Sequence, residues 1–176
     1  MSVAIRSAKP DDATAIARLH ALTHRATYAP LIDGPYEAPS PSRRLAEWQA
    51  ALAGSGLTLV AVEGDRIVGF GHAEGDRIEP LHVDPAYHRH GIGRALMRDL
   101  LDGLQARAVS SAIFNVFARN AKAIAFYEAL GARRTGTETM TDAPVPYLDF
   151  VYEIETGLGS LRPASFHAPR KHAAPR

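Results

Sequence analysis

The 176-residue chain contains no cysteine. This absence excludes disulfide bonds, a thiolate metal site and a cysteine nucleophile, so acyl chemistry would need another group or no covalent intermediate. The sequence also lacks an apolar run long enough to span a bilayer, and no charged-then-apolar leader is visible at residues 1–6. We therefore expect a cytoplasmic protein without a membrane partner.

The chain also lacks a strong excess of either charge, because its formal net charge is +1. The final segment, 157–176, holds four basic residues and no acidic one, which leaves 16 of the 20 basic residues against all 19 acidic residues in 1–156. A mildly acidic folded region argues against nucleic-acid binding, which depends on a basic face. We predict one domain over 1–156 and a disordered basic tail over 157–176.

Hydrophobic periodicity predicts the element order β-α-α-β-β-β-α-β-α-β-β. Three strand-like runs, 57–62, 66–73 and 77–83, are joined by Gly/Asp turns and predict an antiparallel meander. A helix then leads to the strand 112–117, and this crossover makes that strand parallel to the one ending at Val83. Pro80 cannot donate a ladder hydrogen bond, so we expect a bulge or an unpaired edge there. The predicted fold class is α/β (α+β), a single domain with a mixed, mostly antiparallel sheet and one central parallel pair.

The junction between the third meander strand and the next helix is typical of a phosphate site. Gly91 and Gly93 open that helix, whose first N–H groups have no intrahelical partner and carry partial positive charge. Cationic or potentially cationic side chains surround them: His88, Arg89, His90 and Arg94. We expect a phosphate-bearing ligand.

Other phosphate-loop motifs fit this junction less well. The segment from Gly91 to Leu96 has only two glycines of a dinucleotide fingerprint, and no acid ends the following strand. The Gly-Lys-Ser/Thr of a Walker A loop is absent. A glycine-rich turn without a ligand is the remaining alternative.

Two motifs together resemble a known family. Residues 81–96 resemble motif A of the GNAT superfamily of N-acetyltransferases, whose pyrophosphate arm reads Gln/Arg-x-x-Gly-x-Gly/Ala. Residues 120–132 are similar to that family's Asn-x-x-Ala-x-x-x-Tyr-x-x-x-Gly-Phe. The chain departs from these patterns at His88, where Gln or Arg is usual, and at Ala132, where Phe is usual. The resemblance covers about residues 3–155.

The resemblance implies that acetyl-CoA is the co-substrate and that no metal is required. Its pantetheine arm would pair with the main chain of Leu81, His82 and Val83, while the two parallel strands splay apart. The remaining cofactor-binding positions implied are His88, Arg89, His90, Gly91, Ile92, Gly93, Arg94, Asn120, Phe126 and Tyr127.

Two side chains are the candidates for acid–base catalysis. The resemblance makes Tyr127 the general acid that protonates the departing CoA thiolate, although helical spacing alone fits a half-buried core aromatic equally well. The attacking amine must lose a proton, and Glu79 on the strand before motif A is the leading base, with His82 and Glu74 next. The alternative for Glu79 is a solvated strand carboxylate.

His20 and His24 lie one helical turn apart, which is a zinc-like spacing, but no third ligand is evident. We expect two exposed helix histidines. No Gly-x-Ser-x-Gly elbow is present, so direct transfer within a ternary complex is favoured.

The sequence therefore predicts an acetyl-CoA-dependent N-acetyltransferase acting on a primary amine of a small molecule or peptide. A non-catalytic acyl-CoA-binding or regulatory domain and an enzyme using another acyl chain are the alternatives. The acceptor would contact residues 28–42 and 139–147, whose acids Asp33, Glu37 and Asp142 could attract a cation. The sequence leaves the oligomeric state open, a homodimer included.

Overall fold

The computed structural model describes residues 2–33, 36, 39–141 and 146–157. Four helices and seven strands follow one another in the predicted order. They are β1 (Ala4–Ser7), α1 (Ala13–Tyr28), α2 (Pro41–Ala53), β2 (Leu57–Glu63), β3 (Arg66–Glu74), β4 (Arg77–Val83), α3 (Ile92–Gln105), β5 (Ser111–Phe117), α4 (Ala121–Glu128), β6 (Arg133–Met140) and β7 (Tyr147–Glu155).

The strands form one sheet in the order β1-β2-β3-β4-β5-β7-β6. All neighbours are antiparallel except β4 and β5, which are parallel. The predicted fold class, with one central parallel pair, is confirmed. The position of β7 between β5 and β6 is a long-range pairing that hydrophobic periodicity could not show.

Two separate cores cover the two faces of the sheet. The amphipathic helix α3 packs into the larger core together with alternate residues of β5 and β7. The six buried residues of α3 are Ile92, Leu96, Met97, Leu100, Leu101 and Leu104. On the opposite face α1 and α2 bury a smaller cluster around Trp48 and Phe70. Helix α2 begins at Pro41, where Ser40 Oγ accepts a hydrogen bond from the Arg43 N–H and caps the helix.

The parallel pair is short, and this opens the centre of the sheet. Strands β4 and β5 meet at Arg77 and Ile113, where the Ile113 N–H donates to the Asp76 carbonyl at 2.9 Å. Beyond this point β4 remains paired with β3 but not with β5 among the described residues. The β3–β4 register shifts between Gly71 and Ala73, opposite Pro80, so the predicted bulge is confirmed. The bulge lets Ile78, Leu81 and Val83 all contact the α3 core.

No helix within the described ranges has the length and apolarity needed to cross a membrane. The predicted tail beyond residue 157 lies outside the described residues, as do Glu37 and Asp142.

Candidate active site

The N-terminus of α3 is built to receive an anion. Gly91 is the N-cap residue and has φ +78°, a backbone conformation that favours glycine. It offers no side chain to the first helical turn, and no other side chain caps that turn. The first α3 hydrogen bond runs from Ala95 N–H to the Gly91 carbonyl, which leaves the amides of Ile92, Gly93 and Arg94 without intrahelical acceptors. These amides and the helix dipole point to a phosphate-sized anion.

The loop that enters α3 is fixed by its own side chains. His88 Nε2 donates to the Val83 carbonyl at 2.9 Å, and His90 Nδ1 donates to the His88 carbonyl at 2.9 Å. Arg89 also adopts a left-handed backbone, with φ +68°, which the sequence did not reveal. His88 is therefore hydrogen-bonded to the end of β4 while it remains exposed.

Helix α4 lies against the start of α3. Asn120 caps it, because the Asn120 side chain accepts a hydrogen bond from the Ala123 N–H at 3.1 Å. A methyl group on Gly93 would lie 3.4 Å from Phe126 Cζ, so Gly93 of α3 faces Phe126 of α4 where the two helices meet. The predicted cofactor positions on β4, α3 and α4 thus lie around one end of the sheet gap.

Tyr127 is held in the main core rather than in open solvent. Its ring lies 4.4 Å from Phe114 and 5.0 Å from Phe126, centroid to centroid. Burial raises the pKa of Tyr127 to about 12, so the phenol is protonated at neutral pH. It can therefore donate a proton or a hydrogen bond, but it is not a base.

Tyr28, at the end of α1, is the residue around which the candidate catalytic groups gather. Burial raises the Tyr28 pKa above its ordinary value, and the nearby Tyr127, Asp149, Tyr147 and Glu79 raise it further. The structure thus brings Glu79 and Tyr127 into one neighbourhood. Glu79 itself is exposed on β4.

Asp149 on β7 is a site residue that the sequence reasoning missed. Only 7% of its surface is exposed, and its Oδ1 has no hydrogen-bond partner in the described part of the chain. Burial raises the pKa of Asp149 to about 6, the Glu79 carboxylate adds to the rise, and the Asn115 amide opposes it. The sequence signal that could have indicated Asp149 was an acidic residue among the apolar residues of β7.

Aromatic rings stand beside Asp149. Phe117 is its register partner on β5. The Phe117 ring lies 6.1 Å from the Tyr28 ring and 5.3 Å from the Tyr147 ring. A carboxylate beside aromatic rings is a favourable environment for an ammonium ion.

The prediction that His20 and His24 are exposed is wrong for both, because His20 is only 5% exposed and His24 is half-buried. Trp48 Nε1 donates to His20 Nδ1 at 3.1 Å, and the His20 ring lies 5.1 Å from that of His82. Burial first, and then neighbouring positive charges, lowers the pKa of His20 to about 2 and of His82 to about 3. Both rings are neutral, and such a low pKa makes His82 a weak base. No group of three metal-ligating side chains occurs among the described residues.

A cavity of about 160 Å³ lies between α1, α2 and the β3–β4 edge. Glu79 and Pro80 line one side, and His20, Trp48 and His72 line the interior. Arg44 and Glu47 of α2 also line it, and Arg44 Nη1 donates to Glu47 Oε2 at 2.7 Å. Glu79 therefore borders a recess between the two helices and the sheet.

Three polar side chains near the site are already engaged. Asn115 accepts from Arg77 Nη1 at 3.1 Å and donates to Glu138 Oε2 at 2.8 Å, so both ends of its amide are in use. Asp33 forms an ion pair with Arg119 at 2.5 Å, which offsets the charge expected to attract an acceptor. Glu74 lies at the β3–β4 turn, where Ser55 donates to it at 3.2 Å.

Comparison with known proteins gives a consistent result. A family model described as "Acetyltransferase (GNAT) family" matches residues 16–132. The ribosomal protein bS18-alanine N-acetyltransferase of Escherichia coli (strain K12) is 53% identical over 51 residues, which are 29% of this chain and 34% of that enzyme. The match therefore spans only about a third of the length of that relative.

Two further matches cover more of the chain. The N-alpha-acetyltransferase RimI of Mycobacterium tuberculosis (strain ATCC 25618 / H37Rv) is 34% identical over 106 residues, 59% of this chain and 65% of that protein. The PaiA N-acetyltransferase of Thermoplasma acidophilum, solved in complex with coenzyme A, superposes with a TM-score of 0.67 at 19% identity. That superposition covers 88% of this chain and 99% of the other, and at this identity it shows a shared fold.

Proposed function

This chain belongs to the GNAT acetyltransferase family, and we propose that it transfers an acetyl group from acetyl-CoA to the primary amine of an acceptor. The observation that carries the proposal is the uncapped N-terminus of α3, next to the β4 edge that β5 leaves unpaired. The two features offer phosphate-binding amides and a free main-chain edge side by side.

The residues that would hold acetyl-CoA follow from this arrangement. The amides of Ile92, Gly93 and Arg94 would bind the pyrophosphate, with Arg89 and His90 beside them. The unpaired edge of 81–83 would pair with the pantetheine arm as an added strand, and the amide near Val83 would donate to the thioester oxygen. Asn120 caps the start of α4, and the Phe126 ring lies next to Gly93 at the base of the site.

Acid–base roles fall to Glu79 and Tyr127. Glu79 takes a proton from the acceptor's ammonium group, directly or through water, and frees the lone pair that attacks the thioester carbonyl. Tyr127, whose phenol is protonated at neutral pH, donates toward the departing sulfur. Holding the two reactants in line can contribute roughly 7–11 kcal/mol in well-oriented systems, so no acetyl-enzyme is required.

The acceptor we propose is an α-amino group at the start of a peptide. Two relatives are named as an alanine N-acetyltransferase of a ribosomal protein and as an N-alpha-acetyltransferase. The chemistry agrees, since an α-ammonium group has a pKa of about 7.7–8.0 and a lysine ammonium about 10.4. A carboxylate therefore removes a proton from the α-amine at smaller cost.

The test follows CoA release by the purified chain against a panel of amines. The panel contains an alanine-initiated peptide, free amino acids, a diamine and a lysine side-chain analogue. We expect acetyl-CoA-dependent turnover with at least one amine, and a fall in kcat of about 10²-fold or more for Glu79→Gln. Acetyl-CoA binding without acetylation of any amine would instead indicate a binding domain, and turnover restricted to longer acyl-CoA would change the donor.

A further inference from the structure

Two buried side-chain atoms lack a hydrogen-bond partner in the described residues, and they have opposite character. Asp149 Oδ1 is an acceptor, and Arg44 Nε is a donor. Buried polar groups are nearly always paired, so each orphan atom has capacity for a partner that the described residues do not supply. Glu79 is close to both residues: it lines one cavity with Arg44 and acts electrostatically on Asp149.

Asp149 has no cation among the groups described around it. The neighbouring acids Glu79 and Glu138 repel its charge, Asn115 offers an amide, and Tyr28 offers a phenol. Arg77 on β4 donates to Asn115 instead. An ammonium group is the ligand that best offsets two adjacent carboxylates, and the rings of Tyr28 and Phe117 add a favourable wall.

The guanidinium group of Arg44 is only partly paired with the described residues. Its Nη1 is committed to Glu47, only 17% of its side chain is exposed, and its Nε faces no acceptor. It lies four residues before Trp48, so both project from the same face of α2 into the 160 Å³ cavity. A guanidinium N–H in such a recess suits a carbonyl or carboxylate oxygen.

We infer that the acceptor is bound at two points on either side of Glu79: Asp149 holds its ammonium group, and Arg44 Nε donates to an adjacent carbonyl oxygen. An ammonium next to a carbonyl is the chemistry shared by peptide N-termini and free α-amino acids. This inference rests on the proposed function, and it assigns acceptor specificity to Asp149 and Arg44, which lie outside the two motifs. Glu79 remains the group that takes the proton.

The experiment compares three acceptors with wild type and variants. Tri-alanine amide and free alanine carry the ammonium and the carbonyl, whereas isopropylamine carries the ammonium alone. Arg44→Met and Arg44→Lys both replace Nε with carbon and so remove its N–H, and the lysine keeps the charge. Arg43→Gln is the matched control, because Arg43 is a neighbouring exposed residue that pairs with the same Glu47 at 3.0 Å. Glu153→Gln, on the same strand, is the control for Asp149→Asn.

We expect both Arg44 variants to raise the acceptor KM at least tenfold for whichever alanine compound is the substrate, with kcat changed less. They should leave the weak isopropylamine rate and the acetyl-CoA affinity unchanged. Asp149→Asn should raise KM for all three amines. Comparison of the tripeptide amide with free alanine shows whether the acceptor is a peptide N-terminus or a free α-amino acid. Arg44 variants that behave like Arg43→Gln, or a wild type that prefers isopropylamine, would overturn the inference.

Calorimetric binding of tri-alanine amide and of alanine to the CoA-loaded protein separates this inference from the proposed function. Binding that is lost in Asp149→Asn and Arg44→Met supports the two anchors even when no amine is acetylated. Failure of the wild type to bind either compound contradicts them. Unchanged acetyl-CoA affinity in each variant shows that the fold is intact.

Discussion

The carboxylates of Glu79 on β4 and Asp149 on β7 interact although their strands are not neighbours in the sheet, and the charge of Glu79 raises the pKa of Asp149. The interaction spans the region where β5 separates from β4. The groups that would attract and deprotonate an amine therefore come from distant parts of the chain.

The raised pKa of Asp149 predicts a pH dependence of acceptor binding. Its pKa is about 6 in the folded protein against an ordinary value of 3.8, so lowering the pH through 6 neutralises the carboxylate. The acceptor KM should rise as the pH falls from 7 to 5, and Asp149→Asn should remove most of that dependence. Initial rates across this range provide the measurement, and an unchanged pH profile in the variant would assign the effect to another group.

The same shift has a consequence for stability. The folded state binds more protons than the unfolded state between about pH 4 and 6, so Asp149 makes the wild type lose stability as the pH rises through this window. The loss should amount to about 3 kcal/mol and persist above pH 6. Denaturant unfolding of Asp149→Asn should show a smaller loss over the window. Identical pH dependence in the two proteins would contradict the assigned pKa.

Tyr127→Phe should lower kcat by about 10²-fold or more with little change in acetyl-CoA affinity, because it removes the phenol proton that we propose is donated toward the departing sulfur. Tyr152→Phe is the matched control: it lies in the same core, but its hydroxyl donates to Glu128 Oε1 at 2.8 Å. That control should lose about 1 kcal/mol of unfolding free energy and keep its kcat. Equal kcat values for the two variants would leave Tyr127 a packing residue.

Gly93→Ala should weaken acetyl-CoA binding at least tenfold while leaving the fold intact. The added methyl group meets Phe126 at 3.4 Å, an ordinary contact, so the protein itself leaves room for it. A phosphate bound close to the Gly93 amide would not leave room for the added methyl group. Gly136→Ala on β6, with 3.9 Å to Val151, serves as the control. Calorimetry measures the acetyl-CoA affinity of both variants, and equal affinities would contradict a phosphate site at the start of α3.

The buried histidine His20 predicts a loss of stability in acid. Its folded pKa is lowered from 6.5 to about 2, so the unfolded state binds a proton below pH 6.5 and the folded state does not. Stability should fall by about 1.4 kcal/mol per pH unit from this group as the pH drops below 6.5. His20→Gln should reduce that slope by one proton in urea titrations between pH 6.5 and 4. An unaltered slope would show that His20 is not buried as a neutral ring.

The sequence predicted the element order, the parallel crossover and the bulge at Pro80, because each depends on local pattern or on the chemistry of one residue. It also indicated the glycines at the start of α3. The burial of His20 and the role of Asp149 could not be predicted, because both depend on packing between distant elements. His20 contacts Trp48 of α2, and Asp149 lies near Phe117 and Glu79. The orphan Nε of Arg44 is likewise visible only when α2 is in place.

Direct acetyl transfer within a ternary complex is the central claim, and initial-rate kinetics combined with protein mass spectrometry test it most directly. The purified chain is supplied with varied acetyl-CoA and tri-alanine amide, and CoA and acetylated peptide are both quantified. Equal amounts of the two products, intersecting double-reciprocal lines and no acetyl group on the protein are predicted. Parallel lines, with one acetyl group on protein exposed to acetyl-CoA alone and removed by the amine, would contradict the account.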